Sequence, residues 1–185
     1  MSFTQDVTRR VGRAFGGLRA GVEKIASRKL ATEQNRTLTV TSQDFVNGEP
    51  LPRSATKDGE SIPPIIAWSM VPEGTRSIVL ICEDPDAPLP EPFAHWLVYG
   101  IPAAQTMLDE STRAAAREGK NSNLQVGYAA AAPPRGHGIH HYHFQVFALD
   151  TELVLNSGVG RHELVESLRG HVIAWGEVVG TYERA

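Results

Sequence analysis

The sequence is short of cysteine and of long apolar runs, and each shortage excludes something. One cysteine, Cys82, stands in 185 residues, so no intramolecular disulfide can form and no oxidising compartment is called for. Cys82 lies inside an apolar run and has no neighbouring group to activate its thiol, which reads as a buried, inert side chain. No stretch approaches the ~18 apolar residues of a membrane span. The first residues are interrupted by arginines where a signal peptide would carry an unbroken apolar core, so a cytoplasmic protein is expected. A G-x-S-x-G nucleophile elbow is absent, and no cofactor motif is found. Neither sign of charge dominates, with a formal net charge of −3.

Charge is nevertheless distributed unevenly. Residues 1–30 carry seven Lys/Arg against two Asp/Glu, and the remainder eleven against nineteen. An acidic main domain is a poor match to a phosphate backbone, which excludes nucleic acid as its partner. With 41% apolar and 21% charged residues the composition is that of a folded chain, long enough for one domain with an appendage.

The appendage is placed at residues 1–35 and the domain at 36–185. Phe3, Val7, Val11, Ala14, Leu18, Val22 and Ile25 recur at steps of three and four, the apolar stripe of a helix. Gly12, Gly16, Gly17 and Gly21 weaken that helix by ~1 kcal/mol each relative to alanine, so the stripe needs something to pack on. The domain itself or a second copy, giving a homodimer, is favoured over an anionic membrane surface reached through Arg9, Arg10, Arg13 and Arg19.

From Thr37 the period becomes that of strands. Short apolar runs at 38–41, 65–68, 77–81, 95–99, 142–149 and 172–182 alternate with turn clusters such as Asn47-Gly48 and Asp58-Gly59. Turns at that spacing predict a mainly β fold, an antiparallel β-sandwich. Short helices are expected at Thr112–Glu118 and Arg161–His171 on its periphery.

Two loops between these runs carry the chemistry. Cys82-Glu83-Asp84-Pro85-Asp86-Ala87-Pro88 leads to Phe93-Ala94-His95-Trp96, and Pro133-Pro134-Arg135-Gly136-His137-Gly138-Ile139 feeds, through His140 and His141, the strand Tyr142–Leu149. Along that strand His140, Tyr142 and Phe144 share one face, while His141 and His143 share the other. The histidines are crowded, but a third metal ligand is not evident at suitable spacing, and no metal is expected.

The ordered pair of loops resembles the motifs of the phosphatidylethanolamine-binding protein family, D-P-D-A-P with H-[WF], then P-P-x-G-x-G-x-H-x-Y. That family includes Raf kinase inhibitor protein and small bacterial relatives, and the likeness runs from about Leu38 to Arg184. It implies a β-sandwich and an anion pocket formed by Asp84, His95, His140 and Tyr142. Pro134, Ala87 and Pro88 would form the wall and Phe93 the rim. Gly136 would offer a backbone N–H to the anion. Asp86 either joins the pocket or caps its own turn. The resemblance also implies a cis peptide ahead of His95, at Glu91–Pro92, with Ala87–Pro88 a second candidate.

Asp84 would fix one imidazole nitrogen, leaving the other nitrogen and the Tyr142 hydroxyl to donate to an oxyanion. The expected function is therefore non-catalytic binding of a small anion, a phosphate or phosphorylated headgroup, with inhibition of a kinase or protease as the family's further implication. A small hydrolase using Asp84, His95 and His140 for acid–base work on a phosphoester or peptide is the alternative.

Overall fold

The computed structural model describes residues 17–31 and 36–184. Among these residues are nine strands, of which six follow the apolar runs and three, the two-residue β1, β6 and β7, do not: β1 (Arg36–Thr37), β2 (Thr39–Ser42), β3 (Ile66–Ser69), β4 (Ser77–Asp84), β5 (Phe93–Pro102), β6 (Met107–Leu108), β7 (Arg117–Glu118), β8 (His140–Leu149) and β9 (Val172–Tyr182). They form a large sheet in the order β1-β9-β8-β4-β5-β7 and a small one in the order β2-β3-β6. All pairings within these sheets are antiparallel except that of β1 with β9.

The centre of the large sheet explains why its strands are nearly unbroken apolar runs. Every residue of β4 is buried, because both faces of the sheet are covered. Ile78, Leu80 and Cys82 face the small sheet and share a core with Ile66, Trp68, Trp96, Leu108, Phe144 and Val146. Val79 and Ile81 face the other way and pack with Leu97, Phe147 and Leu149 against two short helices. These are α1 (Ala26–Leu30) and α3 (Arg161–Ser167), which contribute Ala26, Leu30, Leu164 and Val165.

The third helix, α2 (Glu110–Arg113), starts earlier than the alanine-rich stretch predicts and ends before it. Asp109 caps it, accepting from the Thr112 N–H at 2.8 Å while the Thr112 hydroxyl accepts from the Asp109 N–H at 2.9 Å. Arg117 and Glu118 are then drawn into β7 opposite Tyr99 and Val98, so sheet pairing overrides helix propensity there.

The N-terminal segment departs most from expectation. Residues 17–21 are not helical, a single 3-10 turn occupies Val22–Lys24, and α1 follows. Gly21 sits at φ 105°, in the region that ends a right-handed helix. Leu18 and Val22 are exposed, Ile25 is buried, and Phe3, Val7, Val11 and Ala14 lie outside the described residues. Residues 19–29 form a strap on the outer face of the large sheet. The Ala26 N–H donates to Glu83 Oε2 at 2.7 Å and the Ser27 N–H to Gln145 Oε1 at 2.7 Å. Glu83 is fully buried and also takes the Gln145 amide and the Arg161 guanidinium. These contacts place polar side chains of β4 and β8 under the strap and satisfy them there.

Candidate functional site

The site forms where β4 ends and β5 and β8 begin. Asp84 closes β4, and its Oδ1 accepts the Asp86 N–H at 2.8 Å, so the chain turns sharply at the Asp-Pro-Asp sequence. Pairing sets Asp84 opposite Phe93, two residues before His95. On the other side β8 begins at His140, whose Nδ1 lies 2.6 Å from Asp84 Oδ2. The alternation of β8 turns Tyr142 the same way, with its ring edge-on to His95 at 5.0 Å between centroids. Phe93 tilts against the opposite side of His95 at 4.6 Å.

These side chains enclose a cavity of about 300 Å³ lined by Asp84, His95, His140, Tyr142, Ala87, Pro88, Phe93 and Pro134, all named by the motifs. Leu89, Asn123, Ala130, Ala132 and Pro133 complete it. A wider cleft of about 710 Å³ lies elsewhere, against Pro63, Pro64, Leu108 and Glu118. Its buried indole, Trp96, already donates to Glu118 at 2.7 Å. The smaller cavity is the candidate because unpaired polar atoms face it.

Two such atoms stand out. The Tyr142 hydroxyl is buried without a hydrogen-bond partner among the described residues. Burial, reinforced by the nearby Asp84 charge, pushes its pKa far up and keeps the proton on it. His95 Nδ1 lies 2.6 Å from the Ala129 carbonyl oxygen. A carbonyl can only accept, so Nδ1 carries hydrogen, and Nε2 is left with no partner among the described residues. Burial lowers the His95 pKa, and the Asp84 carboxylate opposes that only in part.

Four expectations are corrected. His140 does not offer a second nitrogen to the cavity, because His137 Nδ1 lies 2.7 Å from its Nε2. Gly136 and Gly138 adopt positive φ, 76° and 98°, and this turn brings His137 back onto His140. The Gly136 N–H donates to the Arg184 carbonyl at 3.0 Å and is not available to a ligand. Asp86 neither lines the cavity nor caps its own turn. Its carboxylate accepts from His141 N and Nδ1, both at 2.7 Å, and pairs with Arg19. Burial alone would raise the Asp86 pKa, but the bonds from His141 and the Arg19 charge outweigh it and the net shift is downward. The described residues contain no cis peptide, so both Glu91–Pro92 and Ala87–Pro88 are trans, the lower-energy form even before proline.

His137 is the side chain the sequence did not assign. Its signal is the spacing His137-Gly138-Ile139-His140, in which a glycine permits the fold-back. His141 and His143 point away from the cavity, as alternation requires, and His143 instead meets Glu177 at 2.9 Å. Among the described residues no three His, Cys, Asp or Glu side chains are arranged to hold a metal ion.

The phosphatidylethanolamine-binding protein family model matches residues 41–183, which includes both motif loops and every residue named above as lining the cavity. The chain belongs to the phosphatidylethanolamine-binding protein family. A UPF0098 protein of Aquifex aeolicus is 40% identical over 166 residues, covering 86% of this chain and 96% of the relative. Among solved structures, a putative family homologue from Chlamydia trachomatis superposes with a TM-score of 0.75 at 35% identity, over 82% of this chain and all of that one. Escherichia coli YbcL, a family member, gives a TM-score of 0.75 at 33% identity, over 80% of this chain and 99% of its own. The family fold is thus shared, and no helix among the described residues is long and apolar enough to cross a membrane.

Proposed function

We propose that the cavity binds a small oxyanion of the phosphate-ester class and does not transform it. The observation that carries this reading is the Tyr142 hydroxyl, a buried donor with no protein partner, placed beside the free Nε2 of His95 in a space of about 300 Å³. A buried polar atom left unpaired costs roughly 1–3 kcal/mol, and a ligand oxygen would recover it. Hydrogen bonds to a charged partner contribute roughly 1.5–3 kcal/mol each, which suits a compact anion held by few groups.

The same groups fit hydrolysis less well. Asp84 is spent on the turn and on His140, and His140 is held between Asp84 and His137. Neither lies free to activate a water, and the one thiol, Cys82, is buried with its pKa pushed well up, by burial above all. Titration calorimetry with methyl phosphate tests the proposal, alongside turnover assays on a panel of phosphoesters and peptides. Saturable binding without turnover is expected. Turnover of any panel member that is lost in His95→Ala would replace the binding reading with the hydrolase.

A further inference from the structure

Among the described residues, none gives the cavity that would take an anion a lysine or arginine cation. The ionisable groups facing His95 are Asp84 from β4 and His140 and Tyr142 from β8, with His137 behind His140. The 123–134 loop adds only Tyr128, whose hydroxyl is turned to the Ala55 carbonyl at 2.8 Å. Asp84 brings negative charge, and the Tyr142 hydroxyl is neutral. The short His137–His140 contact can hold only one proton between its two nitrogens.

His95 is therefore decisive, and its tautomer is fixed by geometry. The Ala129 carbonyl, 2.6 Å from Nδ1, forces the hydrogen onto that nitrogen. A neutral His95 then presents Nε2 to the cavity as a lone pair, an acceptor. An acceptor next to a carboxylate repels a bare oxyanion oxygen and attracts an O–H. We infer that the cavity selects an oxyanion that carries its own proton, a phosphate monoester in its hydrogen-bearing form rather than a sulfate ester. His95 Nε2 accepts that proton in a hydrogen bond while the Tyr142 hydroxyl donates to a second oxygen of the same group. This rests on the oxyanion reading above and names the class of anion that satisfies it. The His95 pKa, lowered by burial, acts in the same direction, since a neutral ring at neutral pH is the form with the lone pair exposed.

The proton inventory gives the pH dependence. A phosphate monoester loses its second proton near pH ~6. Above that pH the free ligand is mostly dianion, and binding must take up about one proton. Apparent affinity then falls roughly tenfold per pH unit, because only the hydrogen-bearing fraction fits.

Methyl phosphate and methyl sulfate test this directly, since at pH 5.5 they have nearly the same shape and charge and differ in one hydrogen. Calorimetry on the full chain should find methyl phosphate bound at least ~10-fold more tightly, the value of one charge-assisted hydrogen bond. Titrations at pH 7.5 in buffers of different ionisation enthalpy should report uptake of about one proton per methyl phosphate. His95→Gln, whose amide supplies an N–H at any pH, should flatten the pH profile and bring the two ligands to similar affinity. Equal affinity of the wild-type protein for both ligands, or a flat profile from pH 6 to 8, overturns the selection while leaving oxyanion binding in place. Failure of both ligands to bind at any pH removes the oxyanion reading and this inference together.

Discussion

Tyr142→Phe should make the free protein more stable and the binding site worse. The substitution keeps the ring, which is 1% exposed and packed with Phe144 and Trp96 in the main core and against His95 at 5.0 Å. It deletes only the hydroxyl, which has no hydrogen-bond partner among the described residues. An unsatisfied buried hydroxyl costs ~1–3 kcal/mol, and the lower end applies because the group borders an open cavity. About 1 kcal/mol gained corresponds to a rise of ~2–4 °C in Tm for a chain of this size. Oxyanion affinity should meanwhile fall by roughly tenfold or more, because one hydrogen bond to a charged group is lost. Differential scanning calorimetry without ligand and titration with methyl phosphate measure the two effects separately. A variant less stable by more than ~1 kcal/mol that still binds methyl phosphate like the parent would refute the assignment of the hydroxyl to a ligand.

Further outcomes follow from groups outside the cavity. Arg161→Ala leaves the fully buried Glu83 carboxylate with the Ala26 N–H and the Gln145 amide but no cation, and should lower stability by about 3 kcal/mol in denaturant titrations. Asp86→Asn removes partners of His141 and Arg19. The folded Asp86 pKa is depressed, so its contribution is present above the ordinary carboxylate value near ~3.9 and is lost as pH falls through the folded value. The gap in stability between parent and variant should accordingly be full at pH 6 and close below about pH 4. Removing residues 1–31 uncovers Glu83 and Gln145 together and should leave a chain that unfolds cooperatively only at much reduced temperature in calorimetry.

The framework could be read from periodicity alone because periodicity reports burial. An unbroken apolar run at 77–81 marks a strand covered on both faces, and β4 is buried throughout. In β8 the two-residue period separates His140 and Tyr142 from His141 and His143, and the side chains divide as expected. Other features were hidden because their causes lie far along the chain. The Gly136 N–H is claimed by Arg184, 48 positions later, and Asp86 by His141 across two loops. Over its described part, Leu18 to Ile25, the N-terminal stripe mimics a helix, yet Gly21 breaks it and backbone bonds to Pro85 and Ala87 hold residues 20 and 21 extended. Local pattern cannot anticipate a partner that only the tertiary fold supplies.

The strap also bears on the order in which the protein is completed as it is made. Its Ala20 and Gly21 N–H groups hold the carbonyls of Ala87 and Pro85, and its Ser27 N–H needs Gln145, which is 118 residues further along. At ~5–20 residues per second, the anchor for Ser27 is polymerised ~6–24 s after the segment that will dock on it. Until then β4 lacks β8, Glu83 lacks both Gln145 and Arg161, and the Asp-Pro-Asp loop has only its own turn to shape it. The strap, though made early, is thus among the last segments to find its place, and its docking coincides with the moment at which the loop beside Asp84 acquires its final form.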